Sequence, residues 1–335
     1  MMEKLKIGII GTGVGKAHAE ILKQFSEVEV FGICGQNLEK TTKFAKELGI
    51  EFATDNIDSL LDSGINTVLI AAPNDLHLPI FEKAASRKLK IIIEKPAGVR
   101  EEEVLKMKSL QEKNLLEVYV DHELRFRPMF SAIKVMIDEG KLGKVAMISM
   151  NFTNNLFSDP NYKFSWMNQQ DRGGGQLELV GSHFLDLAGW MIDFPEMIKD
   201  VSIQKSICIH ERPDQDGTLK EVTAEDTFAL NLIWGDTIVS VTNGTRGFGN
   251  KGLYFEIHGT EGFLSYSEAE GAKFSNKFGE IGKLEFVDLL PEIKTGKGIF
   301  PIGMKHFWAA LISGQQRETF ATLAQAASVQ EIIHP

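Results

Sequence analysis

The sequence predicts an α/β protein of two domains: a doubly wound parallel sheet, then an α+β domain with a large, mostly antiparallel sheet. Three observations carry this. The chain has 335 residues, about two domains at the usual ~150 residues each. Its first third alternates short apolar runs with helical patterns of ~10 to 15 residues, as βαβ units do. Beyond residue 121 the pattern changes to longer stretches of alternating polarity separated by turn residues, which suit strands with one packed face.

In order, the strand-like runs are KIGIIG, VEVFGIC, EFAT, NTVLIAAP, KIIIEKP and LEVYV. Helical stretches follow the first five: residues 16–25, LEKTTKFAKELG, IDSLLDS, HLPIFEKAASRK and REEEVLKMKSLQEK. VLIAA and IIIE are apolar without alternation, the mark of strands covered on both faces. The pattern predicts a Rossmann domain over residues 1–121 and a second domain over 122–335. In the second, PMFSAIKVMIDEG reads as a helix ending on glycine, and VAMISMNFT as a strand. A helix follows the glycines at 173–175 and runs through HFLDLAGWM. DVSIQKSICIH, EDTFALNLIWG, DTIVSVTNG and GLYFEIHGTEGFLSYS read as strands, and helices at MKHFWAALISG and ETFATLAQAASVQEII close the chain.

Composition narrows the function classes. The chain is 43% hydrophobic and 24% charged, with no apolar run near the ~20 residues of a membrane helix. The apolar block at its start is shorter than the ~7 to 15 residue core of a secretory signal, so the start reads as mature structure. A net charge of −10 opposes nonspecific binding to nucleic acid, which needs a basic face. Cys34 and Cys208 offer neither a disulfide framework nor a zinc spacing, which fits a reducing, cytoplasmic compartment. His18, His210, His258 and His306 form no metal-like spacing, and no metal is expected.

The loop Gly11-Thr12-Gly13-Val14-Gly15 leaves the first strand and enters a helix. Glycines there let the backbone turn tightly and bring a pyrophosphate to the helix N-terminus, where amides and dipole favour an anion. The third glycine is one place early, since the usual GxGxxG spacing falls on Lys16. The alternative is a plain βα turn. At the end of the second strand, Cys34-Gly35-Gln36-Asn37 lacks the acid that holds an adenosine ribose in NAD sites. Of NADP and NAD the sequence therefore leans to NADP, with Lys40 either assisting or solvated.

AAPNDLH (71–77), EKPAG (94–98) and GGGQLELVGSHFLDLAGW (173–190) occur in the order of one family, and HELRFRP (122–128) and HGTEGFL (258–264) match its layout. The chain resembles the glucose-fructose oxidoreductase, inositol dehydrogenase and MocA (Gfo/Idh/MocA) family over nearly its whole length. The resemblance implies an NAD(P)-dependent oxidoreductase acting on a sugar, cyclitol or related polyol. It also implies an open second sheet that packs against another subunit, giving a homodimer or homotetramer. By the same likeness Ala72, Pro73, Asn74 and His77 lie along the cofactor, with Glu94 and Lys95 at the end of the fifth strand.

Interconverting a hydroxyl and a ketone requires a group that takes or gives the hydroxyl proton. Lys95 is placed to hold the substrate oxygen, its alternative being a surface lysine. His183 is the acid/base candidate, because imidazole titrates near neutrality. Many catalytic family members carry an aspartate four residues before this histidine, and here Leu179 stands in that place. Glu178 is one residue off, ~100° around an α-helix, and Asp186 lies three residues after His183. Arg125, beside His122 and Glu123, either clamps a substrate oxygen or forms a salt-bridged hinge. Trp166 either stacks on a sugar or fills core, and Arg172 either meets an acidic group or lies on the surface. Leu179 also keeps open a second reading, a cofactor-binding sensor with the same fold and little or no turnover.

Overall fold

Six apolar runs of the first third form one parallel sheet, because strands covered by helices on both faces have no polar side to present. The computed structural model describes residues 4–155, 157–245, 251–279, 281–296 and 298–335; Met1–Glu3, the outset of the expected mature start, lie outside the described residues. The elements are β1 (Leu5–Ile10), α1 (Val14–Leu22), β2 (Val28–Cys34), α2 (Leu38–Leu48), β3 (Phe52–Thr54), α3 (Ile57–Leu61), β4 (Thr67–Ile70), α4 (His77–Ser86), β5 (Lys90–Glu94), α5 (Glu101–Asn114) and β6 (Val118–Asp121). Sheet order is β3-β2-β1-β4-β5-β6, with parallel pairing throughout. The order reverses between β1 and β4, and ligands of such sheets bind at the carboxyl ends beside that switch point.

Local chemistry sets the helix ends. Asn37 Oδ1 accepts the Lys40 amide at 2.9 Å at the start of α2, and Asn56 Oδ1 accepts the Ser59 amide at 3.0 Å at the start of α3. Each side chain satisfies an amide that the helix itself leaves unpaired.

The second unit contains α6 (Pro128–Asp138), β7 (Val145–Thr153), α7 (Ser182–Met191), β8 (Ile198–Ser206), the small ribbon β9 (Glu211–Pro213) and β10 (Leu219–Glu221), β11 (Thr227–Trp234), β12 (Thr237–Gly244), β13 (Gly252–Gly259), β14 (Gly262–Ser267), β15 (Gly271–Asn276) and β16 (Ile281–Leu284). Its large sheet runs β16-β15-β14-β13-β7-β12-β11-β8. Among the described residues only the β7–β12 pair of this sheet is parallel. Alternation sorts the two faces. Ile148, Met150, Leu230, Val239, Val241, Phe255 and Ile257 are buried, and Phe255 and Phe152 meet Phe130 of α6 and Phe184 of α7. Ile238 and Tyr254 stand on the other face, 51% and 41% exposed.

The chain then returns to the first unit with α8 (Ile299–Ser313) and α9 (Leu323–Ile333). The first unit comprises the residues up to Arg127 and Asp288–Gln330; the second comprises Pro128–Val287 and Glu331–Pro335. This division differs from the expected single boundary at 121/122. Met304, Phe307, Trp308 and Leu311 of α8 join one core with Ile7, Ile9, Ile92 and Phe126, and Ala321, Leu323, Ala326 and Ala327 join another with Ile91 and Ile93. A helix's apolar stripe reveals that it packs, not which core receives it.

Two substitutions on one strand test the sorting of faces. Leu230→Ala, in the core, is expected to lower unfolding stability by about 2–5 kcal/mol. Asn231→Ala, on the exposed face, should stay within about 0.5 kcal/mol. Urea titration monitored by circular dichroism measures both.

Candidate functional site

The turn from β1 to α1 is built by close backbone approach. A Cβ on Gly11 would lie 2.0 Å from the Ala71 carbonyl oxygen, and Gly11 has φ +116°; no other residue type fits both conditions. A Cβ on Gly15 would lie 2.9 Å from Ile9 Cγ2, so this glycine seats the helix against the strand and explains why it comes one place early. Gly13 is different: a Cβ there would meet nothing within 4 Å. Gly13 begins α1 without a side-chain cap, and the first turn holds no acidic residue. A helix start with no side-chain cap and no acidic residue in its first turn, beside open space, suits an anionic pyrophosphate. Thr12 and Val14 flank that opening, and Val14 is 41% exposed.

Gly35 and Gln36 follow β2. A Cβ on Gly35 would lie 2.5 Å from Thr41 Oγ1 and 2.7 Å from Thr12 Cγ2, which packs the end of β2 against the glycine loop. Lys40 lies exposed in the first turn of α2. Cys34 is buried, and burial first, then the Asp55 charge, pushes its thiol up to about 11.

At the end of β4, Ala72 and Pro73 are half-buried, whereas Asn74 and His77 are enclosed. His77 lies with Nδ1 3.0 Å from the Pro96 carbonyl and Nε2 2.9 Å from the Ala72 carbonyl. Burial lowers its pKa, against the opposing pull of those carbonyls and the Glu94 charge. His77 thus braces the ends of β4 and β5 from within.

Glu94 closes β5 and is 7% exposed. Its Oε2 accepts the Lys95 amide at 3.2 Å, and its Oε1 lies 2.7 Å from Nε2 of His18 on α1. His18 Nε2 is also 3.6 Å from Asp121 Oδ2 at the end of β6. Spacing along the chain gave no sign of this group, yet the three side chains bring one ligand atom each within 4.8 Å of the others. The parallel order places the β5 and β6 ends side by side, with Glu94 paired to Asp121. Trp308 Nε1 donates to His18 Nδ1 at 2.9 Å. An indole nitrogen only donates, so Nδ1 holds the lone pair and Nε2 carries the hydrogen. A nitrogen bearing a hydrogen offers no lone pair to a metal, so this tautomer opposes ligation here.

In the second unit the glycine run prepares the helix of His183. A Cβ on Gly175, at φ +104°, would lie 2.5 Å from Glu225 Oε1, and the same oxygen accepts the Leu177 amide at 2.9 Å. Burial, with the Glu178 charge adding to it, raises the Glu225 pKa against the Leu177 hydrogen bond. Leu177–Gly181 forms one π turn, in which the Ser182 amide reaches back to the Leu177 carbonyl. Such turns recur at functional sites. His183 follows at 3% exposure and Asp186 at 1%. Leu179 is half-buried. Glu178 Oε1 lies 2.6 Å from His334 Nε2, a partner that the sequence did not suggest.

Arg125 is fully enclosed, and its Nη1 donates to the Thr319 carbonyl at 3.2 Å and to Gln325 Oε1 at 3.1 Å. It ties the turn after β6 to the returning segment. Trp166 and Arg172 are half-buried, in two short 3₁₀ turns before the glycine run.

Residues 5–122 match the family described as "Oxidoreductase family, NAD-binding Rossmann fold", and residues 130–265 match the "GFO/IDH/MocA C-terminal domain". Levoglucosan dehydrogenase of Pseudarthrobacter phenanthrenivorans is 28% identical over 336 residues, covering 90% of this chain and 84% of its own. Inositol 2-dehydrogenase of Rhizobium meliloti is 24% identical over 263 residues, covering 78% of this chain and 75% of its own. The solved structure of levoglucosan dehydrogenase in complex with NADH and levoglucosan superposes with a TM-score of 0.83 at 25% identity, over 98% of this chain and 95% of that one. An oxidoreductase domain protein from Kribbella flavida, at 20% identity, gives 0.87 over 99% and 96% and attests the fold alone. The chain belongs to the Gfo/Idh/MocA family of oxidoreductases, with an NAD-binding Rossmann domain as its first part.

Proposed function

We propose that this protein is an NAD(P)-dependent dehydrogenase that interconverts a hydroxyl and a ketone on a sugar, cyclitol or related polyol. One observation carries the reading: the uncapped start of α1 at Gly13 opens at the sheet's switch point, on a sheet whose β5 ends in Glu94-Lys95. The named activities of levoglucosan dehydrogenase and inositol 2-dehydrogenase support a sugar or cyclitol as the substrate class. Backbone amides of Gly13, Val14 and Gly15 bind the pyrophosphate, and Gly35 and Gln36 adjoin the adenosine end. When bound, the nicotinamide supplies the hydride acceptor or donor.

Lys95 holds the substrate oxygen by a charge-assisted hydrogen bond, and His183 takes the hydroxyl proton in oxidation or returns it in reduction. Trp166 and Arg172 contact the sugar. The absence of an acid after β2 removes repulsion against a 2′-phosphate, so NADP binds at least as tightly as NAD. The exposed face of the large sheet, with Ile238 and Tyr254, forms the contact of a homo-oligomer. The second reading, a sensor that binds dinucleotide without turnover, is favoured by Leu179 in place of the aspartate.

Screening sugars and polyols for change in nicotinamide absorbance separates the two readings. A dehydrogenase is expected to lose on the order of 10²- to 10⁴-fold in kcat on Lys95→Ala or His183→Ala, with dinucleotide affinity nearly unchanged. Tight dinucleotide binding without turnover of any polyol, sugar or ketone, and with no effect of His183→Ala, would establish the sensor. Calorimetry with both dinucleotides tests the 2′-phosphate preference, and Gln36→Asp should turn it toward NAD. Light scattering at micromolar concentration should give a dimer or tetramer; a monomer rejects the sheet contact.

A further inference from the structure

The cluster behind Lys95 holds more carboxyl groups than one N–H can satisfy. His18, Glu94 and Asp121 are 0%, 7% and 0% exposed. The Trp308 hydrogen bond fixes the single His18 hydrogen on Nε2, where it faces Glu94 at 2.7 Å and Asp121 at 3.6 Å. Glu94 also receives the Lys95 amide, whereas neither Asp121 oxygen has a hydrogen-bond partner among the described residues. Two carboxylates this close in a buried site do not both ionise. The one with two N–H donors keeps the charge, and the other keeps a proton.

We propose that Trp308, His18, Glu94 and Asp121 form a buried positioning relay for Lys95, in which Glu94 is the sole carboxylate, Asp121 carries a proton, and His18 is locked as the Nε2–H tautomer. The charged and titratable groups around it agree. Asp121 faces Glu94, Glu123, Lys95 and His18; burial first, then the Glu94 and Glu123 charges, raises its pKa well above the ordinary carboxylate range. Glu94 faces His18, Lys95 and His77; burial works against its charge, but the hydrogen bond from His18 and the nearby Lys95 charge oppose it and the net shift is downward.

The relay joins two parts of the dinucleotide site. His18 stands three residues beyond Gly15 on the helix that offers its amides to the pyrophosphate, and Glu94 precedes Lys95. A shift of α1 therefore moves the charge that sets the lysine. Glu94, His18 and Trp308 act through Lys95 and are positioning residues. This catalytic consequence rests on the proposed dehydrogenase reading; the proton arrangement does not.

Infrared spectroscopy of protein carrying ¹³C-labelled aspartate tests the arrangement without substrate. At neutral pH the labelled wild type should show a protonated carboxyl band that disappears in Asp121→Asn. A wild type lacking the band, or one whose band survives Asp121→Asn, overturns the proposal. The stability profile has a defined sign. The folded pKa of Asp121 is raised, so its contribution is full below the ordinary aspartate value of about 4 and declines as pH rises toward the folded value. That decline is at most tenfold in the folding constant per pH unit, the slope of a single proton, and Asp121→Asn should remove it. A decline unchanged in the variant counts against the proposal.

Once a substrate turns over, Trp308→Phe and His18→Leu should lower kcat on the order of 10²-fold, as misplacement of a reacting group does, with dinucleotide Kd nearly constant. His18→Gln, which keeps an N–H donor toward Glu94, should restore much of the rate. Equal loss in His18→Leu and His18→Gln rejects the positioning role. If no substrate is ever found, the dehydrogenase reading falls while the band still decides the arrangement; if His18→Leu fails to fold, the band and the Trp308→Phe kinetics decide.

Discussion

The contact on which the first unit depends is the approach of the Gly11 backbone to the end of β4, so close that a Cβ would lie 2.0 Å from the Ala71 carbonyl. That close approach lets the chain turn from β1 directly over the switch point and start α1 there. Gly15 then seats the helix on Ile9, and the opening beside Gly13 remains between the first turn and solvent. Removing a side chain at three nearby positions thus serves three different ends: a turn, an opening and a packed interface. The spacing of the glycines follows from those tasks and from no fixed repeat.

The same economy of backbone space governs the second unit. Glu225 occupies the volume that a side chain on residue 175 would fill, and its carboxylate takes the amide of Leu177 at the beginning of the π turn. A carboxylate at a helix start is favoured by the unpaired amides and the dipole, so the run of glycines and Glu225 form one device that launches the helix of His183. The large sheet supports it from below, with Phe228 against Gly181 and Trp234 against Gly189.

Much of this was legible in the sequence, for identifiable reasons. VLIAA and IIIE announced strands covered on both faces, and β4 and β5 are buried along nearly their whole length. Alternation in DTIVSVTNG announced a two-faced strand, and β12 alternates buried and more exposed positions. The glycine loop was readable because a close approach has a residue-type signature. The allegiance of α8 was not readable, because the stripe carrying Phe307 and Trp308 fits any apolar partner. Nor was the meeting of His18, Glu94, Asp121 and Trp308, which depends on strand order and on a segment nearly three hundred residues away. Arg125 illustrates a third limit. A motif gives the residue but not whether its guanidinium faces a ligand or the Thr319 carbonyl.

The return of α8 to the first unit also constrains how the protein is made. The segment 128–287 interrupts the first unit's chain, so the emerging Rossmann strands have left the ribosome long before Phe307, Trp308 and Ala321 exist to cover them. Until translation passes that point, the faces around Ile7, Ile9 and Ile93 lack part of their cover, and His18 lacks its indole. The nascent first unit is thus left with an unfinished apolar surface for about half of synthesis. A chain truncated before residue 299 is condemned to keep it.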